Sequence, residues 1–287
     1  MWGRPCPGEA YGETVECARP VSWITSRCRL CDHRPMTERR LTFGAVAKAY
    51  EQFRPGYPDA VVDAVLDYAA RPVRSALEIG AGTGKATRAF ARREIGITAT
   101  DPDPAMLVEL RQHVPATVTT LAAAFEQLPV DSTYDLVFAA ASLHWTAAAD
   151  RWSHVAALLV PGGVFANLGG PFELADPQLA AAEADARSDL LPDDFIGAPE
   201  PDTSGSALRW PGNELINSSL FTDVCQVEIP RRLQLSLDEY IGHLGTVSAF
   251  LTLSESDRRT AFDNIRAVLP EQVAIAADLT VHLARLR

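Results

Sequence analysis

Between residues 75 and 170 the chain alternates short apolar runs with stretches of helical period. Residues 75–79, 95–100, 118–122 and 134–140 are brief and rich in Ala, Leu, Ile, Val and Thr, which predicts strands. Between them, residues 86–91 and 104–110 carry apolar positions at helical spacing. Residues 158–166 read as the end of a helix, a Pro161-Gly162-Gly163 turn and a fifth strand. Such alternation predicts a parallel sheet with helices on both faces. Upstream lie a short helix over 42–50 and an amphipathic one over 58–70, with Ala60, Val61, Ala64, Val65 and Tyr68 as its apolar positions. Downstream, 173–190 predicts a helix, 192–206 a mobile loop rich in Pro, Asp, Gly and Ser, and 224–230 a strand. Residues 237–268 read as two helices, and 274–283 as a last strand, with helix left open by its alanine content. Residues 1–40 show no clear period and are expected to be poorly ordered.

The chemistry gathers where the first strand meets the first turn, at Glu78-Ile79-Gly80-Ala81-Gly82-Thr83-Gly84. Glycines at alternating positions let the backbone turn sharply and approach a ligand with no Cβ in the way. The second strand ends in Asp101. A glycine turn beside a strand ending in a carboxylate forms a nucleoside cradle, because the acid can accept both ribose hydroxyls. Two common nucleotide loops do not fit. A dinucleotide fingerprint needs a small residue where this chain has Lys85, so NAD is disfavoured. A P-loop needs glycine at 79 and Ser or Thr at 86, and the chain has Ile79 and Ala86, which disfavours ATP.

The remaining pattern, E-x-G-x-G-x-G, resembles the first motif of class I S-adenosylmethionine (SAM) methyltransferases. The resemblance extends through Asp101-Pro102-Asp103-Pro104-Ala105-Met106-Leu107, Ala124-Phe125-Glu126-Gln127-Leu128-Pro129, Tyr134-Asp135 and Pro161-Gly162-Gly163, covering roughly half the chain. Two further segments are similar to small-molecule methyltransferases related to trans-aconitate methyltransferase. These are Phe43 to Tyr50 followed by Arg54-Pro55-Gly56-Tyr57-Pro58, and Ser142-Leu143-His144-Trp145 at the end of the fourth strand. Ser219 to Val224 looks like that subgroup's approach to its sixth strand. The resemblance implies a Rossmann-like α/β fold: seven mostly parallel strands, helices on both faces, an antiparallel last strand and a helical C-terminal insertion. It also implies one methyltransferase domain over 41–287, with a cofactor core near 70–170 and substrate-lid helices near 171–220 and 236–270.

The same resemblance gives each candidate a role, beside which an ordinary reading stands. Glu78, Gly80, Gly82, Gly84 and Asp101 would bind the cofactor, although an acid at a strand end and glycines in a turn are also plain structure. Met106, Phe125 and Glu126 fall where the family holds adenine, and Met106 equally suits a core. Tyr50 and Arg54 belong to an arm that folds over the cofactor in the family, Arg54 facing a carboxylate of cofactor or substrate. Tyr57 and Trp145 are the substrate-side candidates. His144 is the candidate for catalysis, as a general base or a substrate partner, against a role as pocket wall. Asp103 is expected to cap the following helix rather than bind ligand. The other histidines, His243 among them, read as structural or solvent-facing.

Composition narrows the partners. The 287 residues carry a net charge of −11 without a long basic run, which argues against nucleic acid. No apolar stretch reaches membrane-spanning length and no signal-peptide pattern opens the chain, so a cytoplasmic protein is expected. Cys28-Arg29-Leu30-Cys31 has the spacing of a zinc half-site, but Cys6 and Cys17 form no second close pair, so no metal is expected. The reading that follows is a SAM-dependent methyltransferase acting on a small molecule, with O-methylation of a carboxylate or hydroxyl foremost. Methylation of C or N on a metabolite such as a quinone precursor is the alternative enzyme, and a non-catalytic SAM-binding interaction protein the alternative of another class.

Overall fold

The structure is a computed structural model that describes residues 43–191 and 208–287. The expectations for 1–40, including the Cys28/Cys31 pair, and for 192–206 fall outside the described residues.

Burial along the strands explains the main sheet. In β4 (Tyr134–Ala140), Leu136 and Phe138 face one apolar layer while Val137 and Ala139 face the other. In β1 (Ser75–Ile79), Ala76 joins the first layer and Leu77 and Ile79 the second. Strands buried on both faces read as continuous apolar runs, which is why these were visible in the sequence. β2 (Gly96–Asp101), β3 (Thr119–Ala122) and β5 (Leu159–Gly169) complete a parallel set ordered β3-β2-β1-β4-β5. Asp135 fixes the start of this array: its Oδ2 accepts the amides of Arg74 and Ser75 at 3.0 and 3.1 Å.

Helix α1 (Ala47–Phe53) lies in the N-terminal arm, and α2 (Asp59–Ala69) packs on the first apolar layer. The α2 stripe is Val61, Val62, Val65 and Ala69, with Ala60 exposed, so the buried face is rotated from the one expected. Helix α3 (Thr87–Ala91) brings Phe90 to 4.4 Å from the Phe138 ring. Helix α4 (Pro104–Leu110) starts with Asp103 as its cap, accepting the Ala105 amide at 2.9 Å, as expected. Helix α5 (Arg151–Ala157) covers the other face, where Trp152 meets Phe165 and Phe221.

The C-terminal part departs from the prediction in informative ways. The run read as one strand over 274–283 is two, β9 (Gln272–Ala276) and β10 (Leu279–Leu286). The chain changes sheets at Ala277-Asp278, where Asp278 Oδ1 accepts the Arg231 amide at 2.7 Å. β10 runs antiparallel between β5 and β7 (Phe221–Ile229), so it is the antiparallel strand of the seven, and β7 runs with the other five. β9 instead pairs with β6 (Glu173–Leu174) and β8 (Arg232–Ser236) in a second, three-stranded sheet that was not foreseen. Around it lie α6 (Pro177–Arg187), α8 (Leu237–Leu244), α9 (Ser248–Leu251) and α10 (Glu255–Val268), after a short α7 (Gly212–Asn217). This insertion has its own core, including Tyr240, Phe250, Ile265 and Ile275. Among the described residues, no helix is long and apolar enough to cross a membrane.

Candidate functional site

The strand order reverses at β1, whose neighbours are β2 and β4. In open α/β sheets a ligand crevice forms outside the carboxyl ends of the strands at such a point. A cavity of about 320 Å³ lies there, within the range of small-ligand sites. Its floor is the β1 turn and the end of β2. The turn after β3, the segment after β4, the arm and the insertion supply the walls.

The glycine turn is shaped by close approach. Gly80 has φ +65°, and a Cβ there would lie 2.6 Å from that of Ser142. Gly84, at φ +83°, would place a Cβ 2.8 Å from Leu110 Cγ. Gly84 does not line the cavity; its lack of a side chain lets the turn pack against α4. Gly82 does line it, and donates its amide to Asp101 Oδ2 at 2.9 Å. Asp101 Oδ1 accepts the Asp103 amide at 2.9 Å. Each oxygen keeps a second lone pair for a ligand hydroxyl. Burial pushes this carboxyl up to about 6, against the pull of the two amides.

Glu78 is 1% exposed and lines the same cavity. Its Oε2 accepts the Thr87 hydroxyl at 2.5 Å, while the buried Oε1 has no partner. Burial, reinforced by the nearby Asp101, raises its pKa to about 8. An unpaired buried carboxylate oxygen calls for a donor, most strongly for a cationic one. The ammonium of a SAM amino-acid moiety supplies such a donor, and its ribose hydroxyls match Asp101. The residues present therefore fit that cofactor.

Met106 and Phe125, both buried, line the cavity, and Phe125 packs against His154 at 4.7 Å. Glu126 does not line it. Its Oε1 accepts the Ala147 amide at 2.8 Å, tying the Phe125 turn to the segment after His144. His144 and Trp145 stand together on the wall, ring centres 4.8 Å apart, and Trp145 meets Phe43 of the arm edge-on at 6.0 Å. Burial lowers the His144 pKa, so its imidazole is neutral at neutral pH.

Tyr50, Arg54 and Tyr57 of the arm line the cavity. Arg54 lies over the Tyr50 ring at 5.2 Å and donates to Thr246 Oγ1 and O at 2.8 and 3.0 Å. Burial raises the pKa of the Tyr57 phenol, which feels the charges of Glu78, Arg54 and Arg231. Four wall residues carry no local signature in the sequence: Phe172, Arg231, His243 and Ser248. His243 is not solvent-facing. It is 3% exposed, stacks on Phe172 at 3.7 Å, and burial drives its pKa down to about 3. Arg231 Nη1 donates to Gly56 O at 2.8 Å. Among the described residues, no cluster of three or more His, Cys, Asp or Glu could hold a metal.

The chain is similar in part to known methyltransferases. The family described as "Methyltransferase domain" matches residues 76–163. An uncharacterized methyltransferase of Mycobacterium tuberculosis is 42% identical over 134 residues, 46% of this chain and 52% of the relative. A trans-aconitate 2-methyltransferase of Delftia acidovorans is 39% identical over 98 residues, covering 32% of this chain and 37% of that one. The chain thus spans about half the length of the curated relatives it matches first. A solved structure from Anaeromyxobacter dehalogenans, provisionally described as a type II methyltransferase, is 25% identical. It covers 81% of this chain and 97% of its own, with a TM-score of 0.54. Residues 76–163, which carry β1 to β4 and the start of β5, thus match the methyltransferase domain family, and the rest of the seven-stranded sheet lies outside the matched segment.

Proposed function

We propose that the protein is a SAM-dependent methyltransferase acting on a small molecule, foremost by O-methylation of a carboxylate or hydroxyl. The observation that carries this reading is the pair of buried acids on one cavity: Glu78 with an oxygen lacking a partner, and Asp101 braced by the Gly82 amide. The methyltransferase family match over 76–163 and the partial likeness to a trans-aconitate 2-methyltransferase support it.

When bound, SAM supplies a methyl carbon already activated on a sulfonium, which departs as a neutral thioether. What is left to the chain is alignment and exclusion of water, which in well-oriented systems contribute roughly 7–11 kcal/mol. Glu78 would hold the amino-acid end of the cofactor and Asp101 its ribose. Tyr50 and the Phe43–Trp145 contact cover the cavity from the arm side. The Arg54 and Arg231 guanidiniums flanking the Tyr57 phenol favour an acceptor that carries negative charge. A carboxylate acceptor arrives ionised and needs no base. A hydroxyl acceptor must lose a proton, and the neutral imidazole of His144 can take it.

Calorimetric titration with S-adenosylhomocysteine, with NAD and ATP as controls, tests the cofactor. Micromolar binding of the homocysteine compound alone is expected. Binding of NAD or ATP in its place would overturn the reading.

A further inference from the structure

The residue at which the dinucleotide pattern fails is also the residue that receives the arm. Lys85 Nζ contacts both the Glu51 main-chain carbonyl and, at 3.2 Å, Glu51 Oε1. Arg88 Nη2 donates to the same Oε1 at 2.7 Å, and Thr83 Oγ1 donates to Oε2 at 2.8 Å. One carboxylate on α1 thus engages three side chains from the glycine turn and the start of α3. The cluster is sheltered: the Glu51, Lys85 and Arg88 side chains are 15, 13 and 25% exposed. Sheltered, charge-assisted bonds of this kind exceed exposed ion pairs in strength.

Glu51 is the middle anchor of a strap. Ahead of it, the Gly44 amide donates to Asp103 Oδ2 at 3.0 Å, joining the arm to the turn after Asp101. Beyond it, Arg54 is held by Thr246 and Gly56 by Arg231, both from the insertion. Residues 43–57 therefore bridge the two turns that form the nucleoside cradle and the wall on the acceptor side. Of the residues that line the cavity, Tyr50 lies between the first two anchors, Arg54 is itself an anchor, and Tyr57 directly follows the last.

We propose that Glu51 is a positioning residue: through Thr83, Lys85 and Arg88 it locks the arm to the glycine turn, so that ligand on the turn and order in residues 43–57 reinforce each other. This rests on the cofactor reading above. The coupling is reciprocal, because a ligand that favours the latched arm is itself bound more tightly by it. It also makes the acceptor wall depend on the cofactor, since Arg54 is placed by the same strap.

The test is hydrogen exchange on the wild-type chain and Glu51→Gln, each with and without S-adenosylhomocysteine, alongside calorimetry. In the wild type the ligand is expected to slow exchange over both 43–57 and 77–101. In Glu51→Gln the ligand should still protect 77–101, protection of 43–57 should be lost, and affinity should fall about tenfold. Equal affinity and equal arm protection in the two proteins would overturn the proposal. So would faster exchange spread evenly over the whole fold, which marks general destabilisation. If the wild type binds no S-adenosylhomocysteine, the cofactor reading fails, and the latch is judged without ligand. Faster exchange confined to 43–57 in Glu51→Gln then supports it, and identical exchange overturns it. Should Glu51→Gln not fold, Lys85→Met removes both Lys85 contacts to Glu51, leaves Arg88 and Thr83 on the carboxylate, and carries the same expectations.

Discussion

The Gly82 amide donates to the Asp101 carboxylate at 2.9 Å, so the end of β2 braces the turn that leaves β1. The two cradle elements are one hydrogen-bonded unit, and the acid proposed to bind the ribose also sets the glycine backbone. Asp101→Ala removes both contributions. It is expected to weaken S-adenosylhomocysteine binding at least tenfold, about 1.4 kcal/mol or more, measured by calorimetry. Asp101→Asn can still accept the Gly82 amide and should lose less. Unchanged affinity in the alanine variant would remove the ribose assignment.

Glu78 makes stability depend on pH. Its folded-state pKa, raised by burial to about 8, lies above the ordinary value of 4.5. Between these values the folded chain holds a proton that the unfolded chain has released. Stability therefore falls as pH rises across that window. Asp101 acts in the same direction between 3.8 and about 6. Glu78→Gln keeps the neutral form permanently and should flatten the decline. Thermal melting of the ligand-free protein from pH 5 to 8.5 checks this: the wild-type melting temperature should drop, and the variant's should change less. Parallel curves would contradict the buried, unpaired state of Glu78 Oε1.

The sequence made the glycine-turn side of the cavity legible and left the side formed by the insertion largely hidden. Gly80, Gly82 and Asp101 sit in short local patterns whose geometry needs those residue types, and Glu78 was singled out by the family resemblance. Gly84 belongs to the same pattern, yet it meets Leu110, a contact set only by tertiary packing. Phe172, Arg231, His243 and Ser248 are dispersed between residues 172 and 248 and meet on one cavity beside the second sheet, to which β9 belongs. The departure of β9 from the main sheet has no glycine or proline to announce it. The break at Ala277-Asp278 is held instead by the long-range bond from Asp278 to the Arg231 amide.

Arg231 tests the polarity of the acceptor wall. Small di- and tricarboxylic acids are to be titrated into the S-adenosylhomocysteine complex of the wild type and of Arg231→Met. The variant should bind them at least tenfold more weakly, with Arg231→Lys intermediate, because a planar guanidinium grips a carboxylate with two parallel bonds and an ammonium does not. S-adenosylhomocysteine affinity should stay within about threefold, since Arg231 reaches the cofactor side only through the Gly56 carbonyl. Equal carboxylate affinity in the methionine variant would place the acceptor away from this residue.

His144 separates the two kinds of O-methylation. It stands on the cavity wall with Trp145, and burial keeps it neutral at neutral pH, so its lone pair is available to a hydroxyl proton. If the acceptor is a hydroxyl, His144→Ala should lower kcat by a factor of about 10²–10⁴, the usual span of general base catalysis, and leave S-adenosylhomocysteine affinity unchanged. Its pH profile should also lose the acidic limb, where protonation of the imidazole removes the base. If the acceptor is a carboxylate, there is no proton to take. The same variant should then change KM more than kcat and keep its pH profile, and His144 serves as a wall for the substrate. Measuring kcat and KM across pH for wild type and His144→Ala, with whichever acid or hydroxyl compound the enzyme methylates, decides between these outcomes. A fall in S-adenosylhomocysteine affinity would contradict both, since it would put the imidazole against the cofactor.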